Sequence, residues 1–389
     1  MHLPTINTKS RNILILTSLA TKIFLLLALG FRVDMFDYQN YYNAMHNILN
    51  GLAPWAGGTT VYYPPLALVP MMISYLVSLI GGFLFFVLSM WTILAICDII
   101  TTICIYYIGL KLYSEKTAFI AAFLYATAFS SAYYSLTKFD AFPLCVAMLS
   151  ILLTIYGEKT KGYLTNVIGF FIKDWPIILF PLFLIYNSRK TSLLEELKRN
   201  ALWIAIGGAI LFVAMYAAGY IGFFQYSALI YCNTLVYTIF MYLQLAGVPI
   251  SLNVLIILFH VLAVIAILGG WYYFYKKPKS IGLLLKMSLI SIMALIFLLQ
   301  YRSPQYEVWL MPIAALLLAN NLRGILIFVG VQILSFIEFP IAFYTLYVNQ
   351  QYISSWAVVF FTILFTAYGM LLWQALKFDQ STNKRMVKQ

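Results

Sequence analysis

The stretch FLFFVLSMWTILAICDIITTICIYYIGL, residues 83–110, contains one charged residue, Asp98, and is followed directly by Lys111. Because a helix needs about 20 mainly apolar residues to cross the hydrocarbon core of a bilayer, this stretch predicts a transmembrane helix. Hydrophobic residues make up 63% of the whole chain and charged residues 9%, whereas soluble domains carry about 25% charged residues. Comparable apolar runs recur at 10–31, 117–134, 142–156, 162–186, 201–221, 252–275, 281–299, 308–318, 325–347 and 357–376. The predicted fold class is therefore all-α, a polytopic transmembrane helix bundle.

The basic residues predict the topology of this bundle. If the amino terminus is cytoplasmic, and if 162–186 forms two short halves that meet at 173–176, then 19 of the 24 Lys and Arg residues fall inside. This asymmetry is the one that the positive-inside rule describes, and it indicates about 11–13 spans. We expect residues 65–80 and 225–248, which break the alternation, to be re-entrant or interfacial segments on the outer side. A single domain over 1–389 would then have a first extracytoplasmic loop at 32–64 and the remaining bundle at 65–376.

Charge and cysteine usage exclude several classes of function. The net charge of +12 lies mostly in predicted cytoplasmic loops, so we expect no nucleic-acid partner. The four cysteines lie in apolar or aromatic runs without CxxC spacing, which predicts neither disulfides nor metal–thiolate sites. We expect no cofactor and no metal site, although paired carboxylates leave a divalent cation open.

Acidic residues collect on the predicted outer side, each with a cation close to it in sequence. The acids are Asp34, Asp37, Asp140, Asp174 and Glu307, and the neighbouring cations are Arg32, Lys138, Lys173 and Arg302. Charged groups near the bilayer are costly and often mark functional sites. The alternative is that they are solvated loop ends or ion pairs that join helices.

The longest predicted outer loop, residues 32–64, reads RVDMFDYQNYYNAMHNILNGLAPWAGGTTVYYP. Apolar residues recur at helical spacing within it, which predicts an amphipathic helix lying on the membrane. These residues are Tyr41, Ala44, Met45, Ile48 and Leu49. Glycine and proline follow from Gly51 onward and predict a turn-rich end to this helix. The loop is therefore expected to be folded.

This loop resembles the first luminal loop of the GT-C superfamily of glycosyltransferases, most nearly the GPI-anchor mannosyltransferase branch and its prokaryotic polyprenyl-phosphate-mannose relatives. The matching residues are Asp37-Tyr38, GLAPW at 51–55 and YPPL at 63–66. KFD at 138–140, KDWP at 173–176 and RSPQY at 302–306 are similar to later charged points of the superfamily. The acids here are spaced Asp-x-x-Asp, Asp34 and Asp37, whereas the GPI branch has acid-x-acid. This difference leaves open which aspartate is the base.

The resemblance implies an inverting transfer of a hexose, mannose favoured, from a dolichyl- or polyprenyl-phosphate donor to a glycan, lipid or protein acceptor. Inversion needs one general base on the acceptor hydroxyl, and the departing phosphate needs a cation near the membrane plane. We assign the base to Asp37, with Asp34 as the alternative or as a residue that orients it.

The remaining site residues are predicted to bind substrate. Candidates for the donor phosphate are Arg32, Lys138 and Arg302, with Lys173 also possible, and arginine is favoured because its planar fork matches phosphate oxygens. Asp140 and Glu307 are candidates for acceptor hydroxyls. Further substrate contacts are assigned to Tyr38, Tyr63 and Gln305. The rival functions are a secondary transporter or flippase of a lipid-linked or small polar substrate, and a structural subunit without chemistry.

Overall fold

The computed structural model describes residues 7–30, 33–52, 54, 63–189, 191–218, 233–342, 346–349, 352–353 and 355–379. These residues form an almost entirely helical protein, with one two-stranded antiparallel hairpin in which Tyr347 pairs with Ile353 and Asn349 with Tyr352. The predicted helical fold class is thereby confirmed. The chain divides into two compact units, which we call unit 1 (1–107 and 132–227) and unit 2 (108–131 and 228–389).

Fifteen α-helices are present in the described part of the chain. They are α1 Thr8–Ala28, α2 Phe36–Leu49, α3 Leu68–Leu112, α4 Glu115–Ala126, α5 Phe129–Thr137, α6 Ala141–Ile155, α7 Lys159–Ile172, α8 Phe180–Asn187, α9 Leu193–Ala218, α10 Leu235–Leu245, α11 Leu252–Lys276, α12 Ile281–Phe297, α13 Met311–Leu318, α14 Leu322–Phe336 and α15 Ser355–Leu376. The described part of the chain also contains three 3-10 segments, Pro65–Ala67, Trp175–Leu179 and Pro304–Trp309, a π segment, Ile337–Ile341, and strands β1 Tyr347–Asn349 and β2 Tyr352–Ile353.

Five helical stretches are long and apolar enough to cross a membrane, within the described residues. They are Thr8–Ala28, Pro65–Leu112, Leu252–Lys276, Leu322–Ile341 and Trp356–Leu376, and a sixth arises if α4 and α5, bent by 51°, form one span. The protein is therefore a multi-pass membrane protein. Shorter apolar helices such as α6 and α12 also lie between these stretches. The larger number of crossings, their sidedness and the single-domain organisation remain predictions.

Two helix breaks occur where the sequence predicts a change of segment. The backbone of α3 leaves helical geometry at Gly81 and Gly82, and Gly82 has φ +69°, a conformation that favours glycine. Residues 65–80 are thus separated from the apolar stretch 83–110. The second break follows α7, where Lys173 adopts extended backbone before the 3-10 segment Trp175–Leu179 and α8. Pro176 cannot donate a backbone hydrogen bond there, so the interrupted helix predicted for 162–186 is confirmed.

Unit 1 contains a core that fixes α2 in place. The helix buries one face, formed by Tyr38, Tyr41, Ala44 and Met45, against a cluster that includes Phe139. These positions recur at helical spacing, and three of them are among those predicted to form the apolar face. Burial of each large apolar side chain contributes about 1.5–3 kcal/mol. This packing holds the first turn of α2 beside the turn that follows α5.

Unit 2 is built around α13, whose eight residues are all buried. A helix that is apolar all round belongs in a protein interior, and α13 is enclosed by α4, α12, α14 and α15. By contrast, α11 exposes large apolar side chains such as Ile257 and Leu262, a surface suited to contact with lipid.

Candidate functional site

Unit 1 brings five charged residues from four segments into one cluster, which we call the Asp–Lys cluster. Asp34 precedes α2, and Asp37 lies in its first turn. Lys138 and Asp140 lie in the short turn between α5 and α6, and Lys173 directly follows α7. The packing of α2 and the break after α7 therefore place these charges together. The cluster contains three carboxylates and two ammonium groups.

Lys138 is shared by two carboxylates. Its Nζ lies 2.7 Å from Oδ2 of Asp34 and 3.1 Å from Oδ2 of Asp37. The lysine side chain is 9% exposed, and those of Asp34 and Asp37 are 27% and 20% exposed. Burial lowers the pKa of Lys138, but the charges of Asp37 and Asp34 outweigh it, so the pKa rises overall. Lys138 therefore stays protonated and holds both acids.

Asp34 and Asp37 differ in what else they contact. Oδ1 of Asp34 accepts a hydrogen bond from the backbone amide of Phe36 at 3.0 Å, so Asp34 also fixes the start of α2. The backbone amide of Asp34 in turn donates to the hydroxyl of Tyr133 at 3.3 Å. Asp37 lies within the helix and has no cap role at this start. Of the two acids, Asp34 therefore makes more contacts that stabilise the local structure.

The pKa of Asp37 is raised above its ordinary value. Removal of water from the carboxyl group is the main cause, and the charge and hydrogen bond of Lys138 oppose it. The charges of Asp34 and Asp140 raise the pKa further. A carboxylate with a raised pKa is a stronger base than one in water, so this environment suits proton abstraction.

The second half of the cluster joins Lys173 to Asp140. Nζ of Lys173 lies 2.6 Å from Oδ1 of Asp140, whose side chain is fully buried. The same Nζ lies 5.1 Å from the centroid of the Tyr63 ring, within the range of a cation–π interaction. The hydroxyl groups of Tyr63 and Tyr41 lie 2.9 Å apart. Lys173 is therefore positioned by a buried carboxylate and an aromatic ring together.

The partners of these cations differ from the nearest acids in sequence. Asp140, two residues from Lys138, is the partner of Lys173. Lys138 instead reaches Asp34 and Asp37 across about a hundred positions, because α2 packs against Phe139 in the turn that follows α5. Ion pairing in the Asp–Lys cluster is thus set by helix packing.

Unit 2 contains the predicted residues around Arg302, which is 1% exposed. Its two terminal nitrogens lie 2.7 Å from the two carboxylate oxygens of Glu338, a bidentate pair. The Ser303 hydroxyl contacts the side chain of Gln305, and Glu307 accepts a hydrogen bond from the Tyr368 hydroxyl at 3.2 Å. The ion-pair partner of Arg302 is thus Glu338, where the sequence pairs it with Glu307.

The substrate roles predicted for Arg32 and Tyr38 are not tested by the structure. Arg32 lies outside the described residues, as do positions 53 and 55–62 of the predicted loop. Tyr38 is fully buried in the core of unit 1, so the packing of its ring there is enough to explain an aromatic residue at this position. The substrate roles assigned to Arg32, Tyr38, Arg302, Gln305 and Glu307 remain predictions.

Three charged residues outside the predicted site are paired in the structure. Asp98 in α3 forms an ion pair with Lys22 in α1, and the hydroxyl of Ser18 donates to Asp98 at 3.1 Å. Glu338 is the partner of Arg302. The sequence feature that indicates such pairs is a charged residue inside an apolar run, because a charge in a buried run is stable only with a partner.

No group of three or more His, Cys, Asp and Glu side chains in the described residues is arranged to hold a metal ion. The carboxylates of the Asp–Lys cluster face ammonium groups, which compete with a metal for the same oxygens.

No family model matches this chain, and no curated protein matches it either.

Proposed function

We propose that the protein is an integral membrane glycosyltransferase that moves a hexose, with mannose favoured, from a polyprenyl- or dolichyl-phosphate donor to a glycan, lipid or protein acceptor. The observation that carries this proposal is the partly exposed Asp37, held 3.1 Å from Lys138 in the Asp–Lys cluster. It is the aspartate of the Asp37-Tyr38 motif that resembles the superfamily. An ionised acid beside fixed cations is what a transfer from a phosphate donor requires.

Asp37 acts as the general base. It accepts the proton of the acceptor hydroxyl while that oxygen attacks the anomeric carbon of the sugar. The bond from the anomeric carbon to the phosphate oxygen breaks, and the electron pair leaves with the polyprenyl phosphate. Attack opposite to the leaving group inverts the anomeric configuration, as in other inverting reactions at this carbon. Asp34 positions Asp37 for this step, because it binds both the first backbone amide of α2 and the ammonium group of Lys138.

Lys138 and Lys173 supply the positive charge for the donor phosphate. A phosphate that approaches Lys138 competes with the two carboxylates for its ammonium protons. As the ion pair between Lys138 and Asp37 weakens, the carboxylate of Asp37 becomes more basic, because the charge of Lys138 lowers the pKa of Asp37. Donor binding therefore activates the base. The charge assembled at the leaving group lowers the barrier to its departure.

Tyr63 and Asp140 position these groups. The ring of Tyr63 carries the ammonium group of Lys173 near its face and offers an aromatic surface for a sugar ring. Asp140 is fully buried, so it acts through Lys173 and not on an acceptor hydroxyl. The cluster is proposed to lie on the extracytoplasmic side, where the positive-inside rule puts 32–64.

The test is a transfer assay with the purified protein in vesicles that contain radiolabelled polyprenyl-phosphate sugars, mannose first among them. We expect label to move to an added acceptor and unlabelled polyprenyl phosphate to be released. Movement of intact labelled donor between leaflets, without transfer, would instead support a flippase. Glu195→Gln, a change at an exposed residue at the start of α9, is the control for expression and insertion.

A further inference from the structure

Unit 2 buries a carboxyl group that has no positive partner among the described residues. Glu307, on the 3-10 segment Pro304–Trp309, is 2% exposed. Its Oε2 accepts a hydrogen bond from the hydroxyl of Tyr368, which also lies 2.9 Å from the hydroxyl of Ser335. Its Oε1 has no hydrogen-bond partner among the described residues. One of its two oxygens is therefore left without compensation in a buried setting.

Arg302, the cation nearest to Glu307 in sequence, forms its ion pair with another residue. Both terminal nitrogens of Arg302 bind Glu338 at 2.7 Å, and Glu338 is itself fully buried. The guanidinium nearest to Glu307 in sequence is thus taken up by Glu338, and no cation lies within ion-pair distance of Glu307 in the described part of the chain. An ionised carboxylate buried without a partner is very costly, and such a group usually becomes neutral instead.

We propose that Glu307 is a proton-binding site, which takes up one proton on its buried carboxyl group in the folded protein. The ligand is the proton itself, and the reaction is the addition of a proton to the carboxylate without any change in covalent bonding elsewhere. The neutral acid keeps the hydrogen bond that Tyr368 donates and gains an O–H donor. This site goes beyond the transfer reaction, which we assign to unit 1.

The electrostatic surroundings support this proposal. Burial is the main cause that raises the pKa of Glu307, the hydroxyl groups of Ser130, Ser335 and Tyr368 oppose the rise, and the charge of Glu338 adds to it; together they raise the pKa to about 7. Among the described residues, the titratable or charged groups around the carboxyl are Glu338, Arg302 and Tyr368, and Arg302, the cation of this set, is already paired with Glu338.

Glu196 in unit 1 provides a matched contrast. Its side chain is also fully buried, but Lys159 lies 2.8 Å and Arg199 3.1 Å from its Oε1. Burial would raise the pKa of Glu196, yet the hydrogen bonds and charges of these partners lower it. These two buried glutamates should therefore differ in protonation, because among the described residues only Glu196 has cationic partners.

The experiment is infrared spectroscopy of the full-length protein in detergent, titrated from about pH 5 to about pH 9. We expect the carbonyl band of a neutral carboxylic acid, shifted by exchange into heavy water, to disappear as the pH rises. Glu307→Gln should remove this band, and Glu196→Gln should leave it unchanged. A band that persists in Glu307→Gln, or no band in the wild type, would overturn the proposal.

A second variant keeps the test decisive if Glu307→Gln fails to fold. Tyr368→Phe removes a hydrogen bond that stabilises the ionised form, so the midpoint of the band should move to higher pH. An unchanged midpoint in a folded Tyr368→Phe protein would also overturn the proposal. If the wild type shows no acid band and its stability depends on added sodium ions, the carboxylate binds a cation instead, and the proposal is wrong.

Discussion

The ammonium nitrogen of Lys138 lies 3.1 Å from Oδ2 of Asp37, so the residue proposed as base is held by a positive charge that also holds Asp34. This arrangement makes the ionisation of the base depend on Lys138. It also offers the donor phosphate a cation whose removal from Asp37 strengthens the base. The Asp–Lys cluster thereby links donor binding to catalysis in a way that substitutions can separate.

Lys138→Met is expected to shift the pH dependence of transfer. Lys138 lowers the pKa of Asp37, so its loss raises that pKa. Because the base must be ionised, the acidic limb of the rate profile should move to higher pH, by about 1 pH unit or more for the loss of a close opposite charge. The measurement is the transfer rate as a function of pH. Lys161→Met, at a lysine whose side chain is 66% exposed, is the control, and equal acidic limbs in both variants would speak against the role of Lys138.

The predicted sidedness can be checked by cysteine labelling. Asn50 is exposed at the end of α2, and Lys161 is exposed near the start of α7. In a protein without its four native cysteines, Asn50→Cys should react with an impermeant thiol reagent in intact cells, and Lys161→Cys only after the membrane is opened. The reverse pattern, or equal reaction of the two, would refute the topology.

The ion pair between Lys22 and Asp98 is expected to show strong coupling. Both side chains are 4% exposed, so Lys22→Met or Asp98→Leu alone leaves a buried charge and should cost about 3–5 kcal/mol of stability. The double variant removes both charges and should recover most of that loss. Thermal unfolding in detergent measures it. Strictly additive losses would indicate that the two residues do not act as a pair.

Arg302→Lys separates a structural role from donor binding. Lysine keeps the charge but not the two 2.7 Å bonds to Glu338, so we expect a loss of about 1.5–3 kcal/mol of stability, the worth of one charge-assisted bond. The apparent KM for the donor should stay unchanged. A raised KM with normal stability would instead support the phosphate-binding role that the sequence suggests for Arg302. Glu338→Gln is the matched variant, since it disturbs the same pair from the other side.

Local structure follows from the sequence here because it depends on nearby residues. The apolar spacing of Tyr41, Ala44 and Met45 is enough to predict the helix α2 and its buried face. The proline at 176 and the charges before it likewise mark the break after α7. These features depend on propensity and periodicity, which act within a few residues.

The pairing of charges could not be predicted in the same way. Lys138 lies two residues from Asp140 in sequence but binds Asp34 and Asp37, because the packing of α2 places those acids within its reach. Arg302 similarly forms its ion pair with Glu338, although Glu307 is much nearer in sequence. Long side chains reach across helices, so their partners depend on the tertiary arrangement and not on sequence distance.

The most direct test of the central claim is the transfer rate of Asp37→Asn in protein that inserts and folds normally. Asparagine keeps the size of the side chain but cannot accept the proton of the acceptor hydroxyl. General-base catalysis is worth about 10²–10⁴-fold, so transfer should fall by about that factor, and Asp34→Asn should lose less because Asp34 chiefly positions α2 and Lys138. A folded Asp37→Asn protein with near-normal transfer would contradict the account and place the base elsewhere in the cluster.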